Sequence, residues 1–296
     1  MKITKKYFKG ILGKRKPDTS KYDYGHVLVI AGSKSMTGCV SLAGLAALRT
    51  GAGLVTCAVP ESIYPIVANS IPEIMTLPMP VTKNGTLSSK AQDTILDFIK
   101  TRRVASVVLG PGLSKDKTVK AFIRNLIERV TLPTILDADG INAFEGMVNL
   151  EKQIKHKSKL VITPHYYEFA RFLGLDVDFI KSQKKSLVKK IAQRNNLICV
   201  LKGYHTIISD GNDIIENTTG NSGMATAGTG DVLSGMLGAL CADPDIEKKK
   251  DLLKRIAYGV FLHGLAGDLA VNKYGKESLI ASDIIEFLPE AMKALA

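Results

Sequence analysis

The segment at residues 227–233, AGTGDVL, places two glycines, a threonine and an acidic residue at the start of an apolar helical pattern. Glycines allow several backbone N–H groups to converge, and a helix N-terminus adds unpaired donors and a partial positive charge. Such an arrangement is typical of a phosphate site. We expect Asp231 to stay ionised there and to accept a proton from a hydroxyl group. The alternative is a simple helix cap preceded by a glycine turn.

A second candidate segment is KGYHT, residues 202–206, which lies between two strand-like runs. A lysine, a hydroxyl group and a glycine turn within five residues can hold the phosphates of a nucleotide. The alternative is a hairpin loop with a surface lysine. The glycine-rich segment at residues 32–38 is not a Walker loop, because Cys39 follows its last glycine.

Three further segments could face a ligand. The glycine turn LGPGL, residues 109–113, either approaches a ligand closely or only turns the chain. Asp137 and Asp139 leave a strand with a spacing that points them to opposite sides, so a shared metal ion is not assured. His165 and Glu168 lie at a helix start, where either a functional or a structural role is open. The remaining histidines have no metal-ligand spacing, and the metal ligands stay unknown.

Alternating apolar runs and helical patterns predict the elements that position these segments. Predicted strands cover residues 26–31, 54–59, 104–109, 133–136, 159–162, 197–201, 206–209 and 214–216. Predicted helices cover residues 39–50, 88–100, 118–129, 167–172, 180–195, 231–240, 252–271 and 282–294. Nearly all-apolar strands between helices indicate an α/β fold with a mostly parallel sheet covered on both faces. The late strands without intervening helices predict an antiparallel edge. Ligands bind beyond the carboxyl ends of such strands, where the polar and glycine-rich segments fall.

Composition limits the classes of function. The chain has 296 residues, 45% of them hydrophobic and 23% charged, and no linker-like stretch divides it. We expect a basic N-terminal extension, residues 1–20, and a single domain, residues 21–296. The net charge is +12, but the lysine runs contain no interleaved aromatics and there is no Trp. We therefore expect the lysine runs to be solvated surfaces, with no nucleic-acid partner and no membrane partner. The positive electrostatic field of the whole protein favours phosphate-rich substrates.

Cysteine usage and apolar runs suggest a compartment. The four cysteines show no metal-pair spacing, so reduced thiols are expected. Residues 1–16 are basic and lack the apolar core of a signal peptide. No apolar stretch approaches the roughly 20 residues of a membrane-spanning helix. We expect a cytoplasmic protein.

Eight ordered motifs resemble the ADP-dependent NAD(P)H-hydrate dehydratases, ribokinase-like enzymes that repair nicotinamide cofactors. In chain order they are YGHVLVIAGS, GLAALRTGAGLVT, VVLGPGLS, PTILDADGINAF, VITPHYYEFARFLG, VLKGYHTIISD, NTTGNSGMATAGTGDVLSGML and VFLHGLAGDLA, within residues 21–270. The resemblance implies a ribokinase-like fold and removal of water from the (6S) hydrates of NADH and NADPH (NADHX and NADPHX). It further implies ADP as co-substrate, release of AMP and phosphate, Mg²⁺ and a homotetramer.

The resemblance also implies roles for individual residues. Asp231 matches the catalytic base that deprotonates the ring hydroxyl for attack on the β-phosphate of ADP, and it is itself a substrate contact. The other substrate-binding positions are Cys39, Gly112 and His165. The nucleotide-binding positions are Lys202, Gly203, Tyr204, His205, Thr206, Gly228, Thr229 and Gly230.

The sequence departs from the family pattern at four places, and two other functions stay open. Cys39 replaces a common Ala, Tyr166-Tyr167 replace a Pro-Gly pair beside His165, Ser114 replaces a Gly, and Ser222 replaces a Pro. The first alternative is a ribokinase-like kinase of a hydroxymethylpyrimidine or thiazole alcohol, which would use ATP and leave the phosphate on its product. The second is a non-catalytic nucleotide-binding protein. Nucleic-acid binding has no reader motif to support it.

Overall fold

The computed structural model describes residues 2–8, 11, 15–150, 154, 160–243 and 249–295. Within these residues, nine strands form one sheet in the order β3-β2-β1-β4-β5-β6-β7-β8-β9. They are β1 (His26–Ile30), β2 (Leu54–Pro60), β3 (Met75–Met79), β4 (Ser106–Leu109), β5 (Thr134–Leu136), β6 (Leu160–Ile162), β7 (Ile198–Leu201), β8 (Ile207–Ser209) and β9 (Ile214–Glu216). Neighbours from β3 to β7 are parallel, and β8 and β9 continue the sheet antiparallel. The predicted parallel sheet with an antiparallel edge is confirmed.

Helices cover both faces of the sheet. They are α1 (Gly38–Arg49), α2 (Tyr64–Ala68), α3 (Ala91–Thr101), α4 (Lys117–Arg129), α5 (Asp139–Asn142), α6 (Tyr166–Leu173), α7 (Val177–Arg194), α8 (Thr229–Cys241), α9 (Lys249–Tyr274) and α10 (Ala281–Leu295). Buried residues of α1, α8, α9 and α10 belong to one core cluster, and those of α3 to α7 belong to a second. None of the described helices is long and apolar enough to cross a bilayer.

Strand β1 explains why the central strands are apolar throughout. Val27 and Val29 point into the first core cluster, whereas Leu28 and Ile30 point into the second. Because successive side chains of a strand alternate between faces, a strand covered on both faces has no position left for a solvated side chain.

The sequence did not predict the edge strand β3. It pairs with β2 alone, and Met75 and Pro78 are exposed. Proline lacks the N–H group that a central strand needs, but an edge strand tolerates it. The proline and the mixed burial removed the apolar pattern by which the other strands were recognised.

Part of the basic N-terminal segment packs on the domain. Ile3 donates its N–H to the carbonyl of Glu216, and both Ile3 and Phe8 are buried in the first core cluster. The ring of Phe8 lies 5.5 Å from that of Tyr258 and 5.2 Å from that of Phe261, measured between centroids. Residues 1, 9–10 and 12–14 of this segment lie outside the described residues. The division of the chain at residue 20 stays a prediction.

Candidate active site

The polar and glycine-rich segments meet where the central strands end. The loop after β1 donates the N–H of Gly32 to the carbonyl of Pro111, in the loop after β4, at 2.8 Å. The N–H of Lys202, which follows β7, donates to the carbonyl of Pro164, which follows β6, at 2.8 Å. The loops after four separate strands are therefore tied together in pairs at one end of the sheet.

Asp137, directly after β5, is the buried centre of this region. It accepts hydrogen bonds from Thr163 Oγ1 at 2.7 Å, Lys202 Nζ at 2.7 Å and Ser234 Oγ at 2.5 Å. Burial acts to raise the pKa of Asp137, but the Lys202 ammonium and the hydrogen bonds outweigh it and hold that pKa below its usual range. The pair is therefore ionic, and Ser234 links it to α8.

Asp231 is the third residue of α8, which begins after Gly228 with a positive φ of 92°. Burial raises the pKa of Asp231 to about 7, and the nearby charge of Asp137 adds to this, while Lys202 opposes it. The helix N-terminus was expected to keep Asp231 ionised, but removal from water outweighs that effect. Near pH 7 both protonation states are populated, which suits a general base.

His165 caps α6 together with Glu168. The Nδ1 atom of His165 accepts from the backbone N–H groups of Tyr167 at 3.1 Å and Glu168 at 3.2 Å, and Glu168 Oε2 accepts from the N–H of His165 at 2.8 Å. Burial and the charge of Lys202 lower the pKa of His165 to about 4, so its ring is neutral. Because Nδ1 is an acceptor, the ring proton lies on Nε2, 3.4 Å from Glu168 Oε1.

The Tyr166-Tyr167 pair is compatible with this cap, because Tyr166 begins α6 and leaves His165 at the cap position. The ring of Tyr166 packs on Gly203, where an added Cβ would lie 2.6 Å from Tyr166 Cε2. The substitution therefore fills the space beneath the KGYHT loop.

The backbone of the KGYHT loop is held by one side chain of its own and by one of α7. Thr206 Oγ1 donates to the carbonyl of Gly203 at 3.0 Å, and Lys184 of α7 donates to the carbonyls of Tyr204 at 3.1 Å and His205 at 3.3 Å. The Tyr204 side chain is 85% exposed and projects from the loop. The loop thus has a fixed backbone and one exposed aromatic ring, which contacts the ring of His205 at 4.1 Å between centroids.

The other predicted residues lie around Asp231 and Lys202. Lys202 Nζ would lie 3.3 Å from a Cβ added to Gly230, so the two segments predicted to bind the nucleotide meet at this point. A Cβ added to Gly112 would lie 2.6 Å from Cys39 Sγ, so these two residues are in contact. Burial and the charge of Asp231 raise the pKa of Cys39 to about 12, so this residue is a neutral thiol.

Two contacts of the candidate site could not be foreseen from the sequence. Asp137 was considered only as a possible metal ligand, although it is the ionic partner of Lys202. His263 was not assigned a role, although its Nε2 atom lies 3.0 Å from the carbonyl oxygen of Thr229, at the start of α8. Within the described ranges, no three His, Cys, Asp or Glu side chains form a group that could hold a metal ion.

Comparison with known proteins identifies the family. The sequence model of the NAD(P)H-hydrate dehydratase family matches residues 27–290. The chain belongs to this family. A bifunctional NAD(P)H-hydrate repair enzyme, Nnr, from Moorella thermoacetica is 37% identical, over 99% of this chain and 54% of that enzyme. The chain spans about half the length of the bifunctional relatives it matches. The ADP-dependent (S)-NAD(P)H-hydrate dehydratase of Bacillus subtilis is 30% identical, over 98% of this chain and 97% of its own length.

Solved structures of the dehydratase family and its neighbours share the fold. The ADP/ATP-dependent NAD(P)H-hydrate dehydratase from Bacillus subtilis, co-crystallised with ATP and Mg²⁺, superposes with a TM-score of 0.81 at 25% identity, over 99% of this chain and 98% of that one. A ribokinase-like superfamily protein from Enterococcus faecalis gives a TM-score of 0.83 at 24% identity, over 100% and 96%. The second likeness concerns the fold alone. The expected ribokinase-like fold is confirmed.

Proposed function

We propose that this chain catalyses the ADP-dependent dehydration of (6S)-NADHX and (6S)-NADPHX to NADH and NADPH, with release of AMP and phosphate. The proposal is carried by the position and the raised pKa of Asp231. This residue is a largely buried carboxylate with a pKa of about 7, at the N-terminus of α8 and within the electrostatic reach of Lys202. Membership of the dehydratase family supports the choice of substrate.

Asp231 would act as the base that removes the proton from the ring hydroxyl of the hydrate. The hydroxyl oxygen would form a bond to the β-phosphorus of ADP, while the bond from that phosphorus to the oxygen of AMP breaks. The carbon–oxygen bond would then break to release phosphate, and a proton lost from the neighbouring carbon would restore the double bond. Phosphorylation helps because phosphate leaves far more readily than hydroxide.

The other residues would bind and orient the two substrates. The Lys202 ammonium would stabilise negative charge on the transferred phosphoryl group from its position between Asp137 and Gly230. Residues 203–206 would hold the nucleotide, and Gly228, Thr229 and Gly230 would supply backbone contacts at the start of α8. Cys39, Gly112 and His165 would contact the hydrate.

The negative charge of this site suits Mg²⁺, which would enter bound to the nucleotide. Burial and the charge of Asp137 raise the pKa of Glu168, against the opposing effect of Lys202, so these carboxylates lie close enough to repel each other. Mg²⁺ in nucleotide sites usually keeps several waters and takes one or two carboxylate ligands. Glu168 would supply the carboxylate, and the ion would neutralise phosphate charge.

We further propose a cytoplasmic homotetramer with no nucleic-acid or membrane partner. Resemblance to the family supports the oligomeric state. The dispersed lysines without interleaved aromatics support the expected absence of nucleic-acid binding.

The proposal is tested by absorbance at 340 nm. Purified protein is mixed with hydrated NADH, Mg²⁺ and ADP, ATP or no nucleotide. A rise that requires nucleotide, and that Asp231→Asn does not give, supports the dehydratase. No rise from folded protein that binds ADP contradicts it. A vitamin alcohol converted to its phosphate with ATP would identify a kinase instead.

A further inference from the structure

Helix α9 carries a group of residues that face the nucleotide-binding segments without belonging to them. His263, Gly264, Gly267 and Asp268 lie at positions that share one face of a helix. They belong to the motif VFLHGLAGDLA, for which the sequence suggested no role. The segment that packs on this face runs from Thr219 to Thr229, so it leads directly into the start of α8.

Hydrogen bonds hold the first part of that segment. Asp268 accepts from the N–H of Gly220 at 2.9 Å through Oδ2 and from Asn221 Nδ2 at 2.9 Å through Oδ1. Thr219 Oγ1 donates to the carbonyl of Phe261 at 2.8 Å. Both carboxylate oxygens of Asp268 are therefore committed to the segment.

The two glycines of the motif allow the segment to lie directly on the helix. A Cβ on Gly264 would lie 2.3 Å from Thr219 Oγ1 and 2.6 Å from the Thr219 carbonyl carbon. A Cβ on Gly267 would lie 2.4 Å from Met224 Sδ. A side chain at Gly264 would displace backbone atoms, so the close approach requires glycine there.

His263 holds the end of the segment. Since the carbonyl oxygen of Thr229 can only accept, His263 Nε2 donates the hydrogen bond between them. A planar trans peptide directs its C=O and its N–H to opposite sides. A bond that fixes the Thr229 carbonyl towards α9 therefore fixes the N–H of Gly230 in the opposite direction. That N–H is one of the donors that a helix N-terminus leaves without an intrahelical partner.

We propose that His263 and Asp268 are positioning residues that hold residues 219–230 so that the Gly230 N–H is directed at the phosphate of the bound nucleotide. The proposal rests on the proposed function, because it takes the start of α8 to be the phosphate-binding position. The residues on α9 would align the N–H of Gly230, and the nucleotide would contact that N–H.

The first test compares His263→Gln with His263→Met. Glutamine can present an N–H donor near the position of Nε2, whereas methionine fills similar space without a donor. The dissociation constant of Mg²⁺–ADP is measured by calorimetry, and the KM values for ADP and for hydrated NADH are measured separately. We expect methionine to raise the ADP dissociation constant about tenfold, because a hydrogen bond to a charged group is misaligned. We expect glutamine to restore affinity to within about threefold, with the KM for the hydrate unchanged in both variants.

Asn272→Ala, at an exposed position of the same helix, is the control and should bind ADP as the wild type does. Folded His263→Met protein with unchanged ADP affinity overturns the proposal. If that variant does not fold, Asp268→Asn replaces it, because asparagine keeps the shape but loses one acceptor. We then expect weaker ADP binding with an unchanged KM for the hydrate, and unchanged ADP binding overturns the proposal. A wild-type chain that binds no ADP contradicts this inference and the proposed function together.

Discussion

Replacing Asp231 by asparagine should remove turnover and stabilise the fold. Asparagine has nearly the same shape, but it cannot accept the substrate proton, so turnover should fall at least about 100-fold. The wild-type carboxylate is held in a setting that disfavours its charge, where burial and Asp137 raise its pKa to about 7. The neutral amide does not carry this penalty, so function and stability should change in opposite directions.

The size of the gain in the free energy of unfolding follows from the pKa of Asp231. A value of about 7 in the fold, against 3.8 for an unperturbed aspartate, corresponds to at most about 4 kcal/mol once the carboxylate is charged. Partial exposure and relaxation reduce this figure, so we expect a gain on the order of 1–2 kcal/mol at pH 8. For a domain of this size, that is a rise in Tm of roughly 2–5 °C.

The pH dependence of the gain distinguishes this cause from a general effect of the substitution. Because the folded-state pKa is the higher one, the penalty is absent below about pH 4, grows as the pH rises, and is complete above about pH 7. The difference in stability between Asp231→Asn and wild type at pH 5 should therefore be roughly a third of that at pH 8.

Thermal unfolding of wild type and Asp231→Asn at pH 5 and pH 8 measures this difference in stability. Asp93→Asn is the control, because Asp93 is an exposed carboxylate that pairs with Arg129 at 2.9 Å, and its removal should change stability little. If Asp231→Asn is no more stable than wild type at pH 8, burial of the charged Asp231 carboxylate does not destabilise the fold. Retained turnover would remove Asp231 from the mechanism.

Three further predictions test the site and the fold. The kcat/KM for hydrated NADH should rise with pH up to about 7 and then level, because Asp231 must lose its proton to act as a base; a flat profile would contradict this. Lys202→Ala should raise the KM for ADP at least about tenfold, since it removes a positive charge from the proposed phosphate site, and an unchanged KM would refute that role. Phe8→Ala should lower the free energy of unfolding by about 3 kcal/mol or more in denaturant titration; a loss under 1 kcal/mol would mean that the N-terminal segment contributes little packing.

The sequence predicted best those elements whose burial is uniform. Strand β1 was expected at residues 26–31 and is observed at His26–Ile30, because every side chain of that strand is buried on one face or the other. Strand β3 was missed, because Pro78 and an exposed edge gave it no such pattern.

The candidate site was predictable in its members but not in its electrostatics. The glycine turn before Asp231 could be recognised from neighbouring residues. The ion pair between Asp137 and Lys202 joins residues that lie 65 positions apart, so no local pattern indicates it. The pKa of Asp231 was expected to stay low, and the structure raises it because burial outweighs the helix N-terminus. Burial and charges brought together by folding are properties of the whole packing.

In the proposed reaction, the hydroxyl oxygen of the hydrate attacks the β-phosphorus of ADP. Hydrated NADH labelled with ¹⁸O in that hydroxyl, incubated with the protein, Mg²⁺ and unlabelled ADP, tests it directly by mass spectrometry of the released phosphate. We predict one ¹⁸O atom in each phosphate formed and one AMP for each NADH restored. Unlabelled phosphate, with the label recovered in water, would contradict the account.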